Sequence, residues 1–131
     1  MATQLHVTIV TPEKKVLDGS ASEVSLPAWD GEMDVFPDHD QLLALLRAGR
    51  CTVMGTDGPS SFVVGRGFAE ITGDSVTILT SACSPVAEVD KARAAKRVAD
   101  AEEAFANAEF GTESYKQAAI ALEHARALAE A

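Results

Sequence analysis

Apolar and polar positions alternate through the first two thirds of the chain and then give way to a helical spacing. In Leu5-His6-Val7-Thr8-Ile9-Val10, the residues Leu5, Val7 and Ile9 fall on one face of a strand, because strand side chains alternate. Val24 and Leu26 repeat that alternation just before Pro27. Cys51-Thr52-Val53-Met54 and Ser61-Phe62-Val63-Val64 read as a strand pair, joined through Gly55, Asp57-Gly58 and Pro59. Phe68-Ala69-Glu70-Ile71 and Val76-Thr77-Ile78-Leu79 flank Thr72-Gly73-Asp74-Ser75, the composition of a hairpin turn. The run Leu42-Leu43-Ala44-Leu45-Leu46 is short and soon followed by Gly49, which favours a buried strand over a helix. Turn signals about every ten residues predict a β-sandwich or barrel of roughly ten short strands over residues 1–87, and the β-sandwich is the expectation taken forward.

From residue 88 the pattern predicts an antiparallel α-helical hairpin over 88–131, so the expected class is α+β, mainly β. Eight of the nine glycines and all five prolines precede residue 87, whereas 15 of the 43 residues from Val89 to Ala131 are alanine. Glycine and proline punctuate turns, and alanine is the strongest helix former. Asp90 is the expected N-cap of the first helix. Val98, Ala101, Phe105 and Ala108 give it an apolar face, and Gly111 stands where a C-cap is expected. Ser114 and Gln117 have capping-box spacing for the second helix, with Thr112 a competing start. Tyr115, Ala118, Leu122, Ala125 and Ala129 carry its apolar face. A buried Leu or Phe contributes about 1.5–3 kcal/mol and alanine much less. A seam holding only Val98, Phe105, Tyr115 and Leu122 as larger side chains suits an arm that undocks; a plain helical appendage would have the same composition.

The 131 residues are enough for one modest domain with an appendage, and 47% apolar content is that of a folded chain. A formal net charge of −9 argues against nucleic acid and against an anionic bilayer surface, both of which need a basic face. The N-terminus lacks a basic segment followed by an apolar run, so no signal peptide is expected. No stretch of about 18 apolar residues occurs, so no direct bilayer insertion is expected. Cys51 and Cys83 have no metal-like spacing and read as buried thiols.

Catalytic motifs are lacking. His6, His39 and His124 share no local spacing with the cysteines, and no H-E-x-x-H, C-x-x-C, G-x-S-x-G or phosphate-binding loop is present. Gly65-Arg66-Gly67 reads as a tight turn or bulge between strands. The expectation is a chain without catalytic residues, metal or obligatory cofactor. Two charge features stand out. Asp30, Glu32, Asp34, Asp38 and Asp40 crowd around Pro37 and His39 as a solvated acidic loop; the order of ligands in a calcium loop is missing. Lys91, Arg93, Lys96 and Arg97 occupy the first two turns of the first helix, where each exposed cation opposes the dipole at about 0.3–1 kcal/mol. Either an external acidic partner meets them, or Asp90, Asp100 and Glu103 neutralise them locally, as in a Lys96–Asp100 pair.

Gly31-Glu32-Met33-Asp34-Val35-Phe36-Pro37-Asp38-His39 resembles the pattern G-E-x-G-x-x-P-G-H of the epsilon subunits of bacterial F-type ATP synthases. Val64-Gly65-Arg66-Gly67-Phe68-Ala69-Glu70-Ile71 is similar to that family's V-S-G-G-F-x-E-V, and Val76-Thr77-Ile78-Leu79 to its V-T-I-L strand. The opening Val7-Thr8-Ile9-Val10-Thr11-Pro12 also fits, so the resemblance spans the chain. Asp34, Asp38 and Arg66 stand where the family has glycine; aspartate must then tolerate any left-handed backbone at its two positions.

The resemblance implies a non-catalytic rotor subunit at the foot of the central stalk, on the cytoplasmic face of the bacterial inner membrane. It implies the gamma subunit, the c-ring and the alpha/beta catalytic subunits as partners, with Glu32 and His39 on the c-ring side. In relatives the helical arm folds on the sandwich or extends toward the catalytic core, where it inhibits ATP hydrolysis. Lys91, Arg93, Lys96 and Arg97 would suit acidic surfaces of that core. Some relatives bind ATP on the folded arm through I/L-D-x-x-R-A, and Val89-Asp90-Lys91-Ala92-Arg93-Ala94 is close to it. The acidic residue that precedes the motif aligns with Ser84, and the second helix offers only His124 and Arg126. The resemblance therefore implies weak ATP binding or none, with a nucleotide-sensing module on Asp90, Arg93 and Arg126 as the alternative function.

Overall fold

The computed structural model describes residues 4–131. Nine strands are present among them: β1 (Leu5–Val10), β2 (Lys15–Ala28), β3 (Gly31–Val35), β4 (Leu42–Leu46), β5 (Gly49–Gly55), β6 (Gly58–Val64), β7 (Gly67–Ile71), β8 (Ser75–Thr80) and β9 (Cys83–Pro85). A short 3₁₀ turn, Val86–Glu88, leads into helices α1 (Lys91–Asn107) and α2 (Glu113–Glu130). The strands follow the order β1-β8-β7-β4-β2-β5-β6-β9, with β3 on β2 and β1 also pairing β2. One strand is far from short. β2 runs for 14 residues, pairing β1 through its first half and β3 and β5 through its second. It thereby ties the two layers of the sandwich together.

Alternation places the core. Leu5, Val7 and Ile9 point inward from β1, which runs parallel to β8 with Val7 beside Val76 and Ile9 beside Ile78. Val24, Leu26, Val35, Cys51, Val53, Phe62 and Val64 face them from the other layer. The β7–β8 hairpin forms as expected, pairing Phe68 with Leu79 and Ile71 with Val76. Its turn is closed by the Thr72 amide on the Ser75 carbonyl at 2.9 Å. Gly65-Arg66-Gly67 is not a tight turn: the chain passes straight from β6 into β7, still paired with the β8–β9 segment through the Gly65 amide on the Ala82 carbonyl and the Ser81 amide on the Arg66 carbonyl. A side chain at Gly67 would collide with the Leu79 carbonyl, so only glycine fits there.

Several expectations are corrected. Residues 31–35 are not an acidic loop but strand β3, with Met33 and Val35 turned to the core and Glu32 and Asp34 outward. The 42–46 run is a strand, yet only Ala44 and Leu46 are buried, because one face of β4 is uncovered. Cys51 is fully buried and Cys83 half-buried; both are free thiols, pushed by burial up to about 12 and about 11. α1 stops at Asn107, and Gly111, at φ 86°, lies in the connecting turn rather than at the C-cap. Thr112 rather than Ser114 caps α2, its hydroxyl accepting from the Tyr115 amide at 3.2 Å. Asp90 caps α1 as expected, accepting from the Arg93 amide at 3.1 Å.

Candidate interaction surface

Residues paired across neighbouring strands share a face, so β4, β7 and β8 together present one side chain row to solvent. Leu45 pairs with Phe68, and Phe68 with Leu79. All three are exposed, Leu45 by 64% and Phe68 by 39%. Leu43, 62% exposed, continues the row along β4, and Trp29 stands beside it, its amide bonded to the Leu45 carbonyl at 2.9 Å. Between the β2–β3 turn and β4 lies a groove of about 490 Å³, lined by Trp29, Gly31, Glu32, Met33, Leu43 and Leu45 among others. A contiguous apolar patch of this kind marks a surface that another molecule covers.

Acidic groups border that face. Glu32 accepts from the Ser25 hydroxyl across the β2–β3 pair, near the Trp29 end of β3. His39 lies past the far end of β3, its Nδ1 2.7 Å from the Asp40 carbonyl. The two c-ring-side candidates are therefore separated along the strand rather than brought together. Asp38 takes φ 65°, the left-handed conformation that the family's glycine would supply, and its amide bonds the Gly73 carbonyl. Asp34 needs no such conformation, because it lies within β3. Among the described residues no cluster of three or more His, Cys, Asp or Glu converges in a metal-binding arrangement.

The helical hairpin lies on the outer faces of β5 and β6. Phe62 and Val64 point into the main core, and Val63 points outward into a second cluster with Ala94 and Leu128. Val86, Val89, Ala127 and Ala129 border this small cluster. At the hairpin tip Phe105 and Phe110 both pack on Tyr115, with ring centroids 4.8 and 5.1 Å away. One polar contact reinforces the docking. Glu123 of α2 forms a two-point pair with Arg66, Nε to Oε2 at 3.0 Å and Nη2 to Oε1 at 3.1 Å. It also accepts from the Ala48 amide at 3.0 Å. Burial raises the Glu123 pKa, but the Arg66 hydrogen bond, the Ala48 amide and the charges of Arg66 and Arg47 carry it below the usual carboxylate value.

The basic residues of α1 divide. Lys91 reaches the Ala129 carbonyl at 3.3 Å, at the C-terminal end of α2 where a cation is favourable. Lys96 pairs with Asp100 at 3.5 Å. Arg93 and Arg97 are exposed and form no ion pair among the described residues. Both line a cleft of about 220 Å³ with Ser84, Glu88 and Asp90. Arg126 lines a different cleft, of about 520 Å³, with Arg47, Arg50 and Phe105. Asp90 and Arg93 thus share a cleft that excludes Arg126, and the Asp90 carboxylate is occupied as a cap.

His124 adds a titrating group under the arm. Its Nε2 is buried without a hydrogen-bond partner among the described residues. Burial lowers its pKa, and the Arg97 charge lowers it further against the opposing pull of Glu123. A histidine held below its ordinary value binds fewer protons folded than unfolded, so stability falls as pH drops through the ordinary value of 6.5. The docked arm is expected to melt earlier as the pH is lowered from 7.5 to 5.5, the range about that value. His124→Gln should flatten the dependence, measured by thermal melting of helical circular dichroism; an equal slope in both proteins would count against it.

Trp29, Leu43, Leu45 and Phe68 escape recognition as functional residues from sequence alone. The available signal is the β4 run itself, whose apolar residues occupy both faces of a strand that only one core covers. Glu123 has no local signal, since its partner lies 57 residues away.

A sandwich of nine described strands carrying a docked C-terminal helical hairpin is the architecture of the delta/epsilon class of ATP synthase chains. Residues 4–86 match the family model of the ATP synthase delta/epsilon chain beta-sandwich domain. The chain is 39% identical over 131 residues to the ATP synthase epsilon chain of Granulibacter bethesdensis, covering 98% of this chain and 96% of that relative. It is 31% identical to that of Maricaulis maris, covering 92% and 90%. A chain in the structure of the Euglena gracilis mitochondrial ATP synthase shares the fold, with a TM-score of 0.84 at 24% identity over 98% of this chain and 81% of that one. The chain belongs to the ATP synthase epsilon chain family.

Proposed function

We propose that the chain is a non-catalytic central-stalk subunit of an F-type ATP synthase, coupling ion flow through the membrane sector to ATP synthesis. The observation that carries this reading is the uncovered apolar row of Leu43, Leu45 and Phe68 beside Trp29, on a sandwich of the epsilon family. Its partner is the gamma subunit. The outward carboxylates of Glu32 and Asp34, with His39 beyond them, face polar loops of the c-ring. Attachment to the membrane sector runs through these partners at its cytoplasmic face, and no helix among the described residues is long and apolar enough to cross a membrane.

The hairpin restrains ATP hydrolysis when it leaves the sandwich and meets the alpha/beta core. Arg93 and Arg97 support this, because among the described residues they form no ion pair while Lys91 and Lys96 are engaged within the arm. Reversing both charges is expected to raise hydrolysis by the assembled complex severalfold. Unchanged hydrolysis would remove the arginines from the restraint. ATP sensing on the arm is less well supported, since Arg126 lies outside the Asp90–Arg93 cleft. The rotor assignment is tested by size exclusion of the chain with gamma on its alpha/beta core. Stoichiometric co-elution is expected, and failure to associate with both partners folded would overturn it.

A further inference from the structure

The contact that holds α2 down is joined to the apolar face. Arg66 sits between Glu123 of the arm and Trp29 of the exposed row, its guanidinium carbon 5.1 Å from the centre of the indole ring. Arg47 stands over the same ring at 5.8 Å and also attracts the Glu123 carboxylate. A guanidinium over an indole face is drawn by the ring's negative π-cloud, and a planar fork held there loses less freedom when it closes on a carboxylate. Glu123 in turn bridges two strand-to-strand junctions of the sandwich, Ala48 between β4 and β5 and Arg66 between β6 and β7. Trp29 is half-exposed, so whatever covers the apolar row touches the ring directly.

We propose that Trp29 is a positioning residue that holds Arg66 for Glu123, and so links coverage of the apolar face to docking of the helical hairpin. A partner that draws the ring off the guanidiniums loosens the arm, and by thermodynamic reciprocity a loosened arm changes the affinity of the face for that partner. The link to a partner rests on the docking surface proposed above; the link from Trp29 to the arm belongs to this chain alone.

The test uses the full chain without partners and reads amide hydrogen exchange across residues 113–130. Glu123→Gln should accelerate exchange there by roughly tenfold or more, the scale of a lost charge-assisted two-point pair. Trp29→Leu keeps an apolar group but removes the π-face. It should accelerate exchange by roughly two- to fivefold, the scale of an exposed cation–π contact, with the melting of the sandwich unchanged. Trp29→Phe restores a ring and should recover most of the protection. Because the chain has a single tryptophan, Glu123→Gln should also change its fluorescence emission through Arg66, which meets both side chains. Trp29→Leu with wild-type exchange would overturn the proposal, as would Glu123→Gln without effect on exchange or emission. A chain that passes these tests but fails to co-elute with gamma would leave the relay standing and remove the partner assignment.

Discussion

Leu45→Asp combined with Phe68→Asp is expected to abolish co-elution with gamma while the isolated chain keeps its fold. The two side chains are cross-strand neighbours on β4 and β7 and both point to solvent, so new carboxylates there stay hydrated in the free chain. In the complex they would lie unpaired at the centre of an apolar contact. Apolar anchors in such a position typically contribute about 2 kcal/mol or more each, and a desolvated charge adds its own penalty. Two substitutions should therefore weaken association by roughly a thousandfold. Ala44→Asp is the contrasting variant: its side chain faces the core one position away, and it should destabilise the fold itself. Undiminished co-elution of the double variant would move the gamma contact to another face.

The alternation that identifies β1, β5, β7 and β8 is legible because one face of each meets the core and the residue types follow. β3 carries the same period, Met33 and Val35 inward with Glu32 and Asp34 outward, but the density of acids around it gives the composition of a loop. The β4 leucines are readable as a strand and misleading as a core: sequence reports apolarity without saying whether the chain itself or a partner covers it. Phe62-Val63-Val64 shows the opposite outcome, an unbroken apolar run whose outer residue is covered by the chain's own arm. The helix start at Asp90 is accessible because caps are local chemistry. At the second helix Ser114 with Gln117 offers the same local signal as Thr112, and only the structure selects Thr112. The contact of Arg66 with Glu123 and Trp29 was not accessible, since it joins three distant segments with no shared period. Its one trace was Arg66 standing in place of a glycine.

Leu128→Ala is expected to release the hairpin from the sandwich without melting either. Leu128 is 6% exposed and supplies the largest side chain to the cluster of Val63 and Ala94 that seats the arm. Removing a buried leucine costs about 2–5 kcal/mol, and a site at the protein edge should fall near the lower end. Alanine is a better helix former than leucine, so the loss falls on docking rather than on α2 itself. An arm seated by so few large side chains has little in reserve, and amide exchange in α1 and α2 should approach that of a detached hairpin. Exchange in the β-strands should stay slow, because the main core does not include Leu128. In the assembled complex the released arm is free to reach the alpha/beta core, so hydrolysis should fall, opposite in sign to the effect of reversing Arg93 and Arg97. If Leu128→Ala frees the arm by exchange yet leaves hydrolysis unchanged, undocking is not what limits the restraint, and the arm's role lies elsewhere than in its reach for the catalytic subunits.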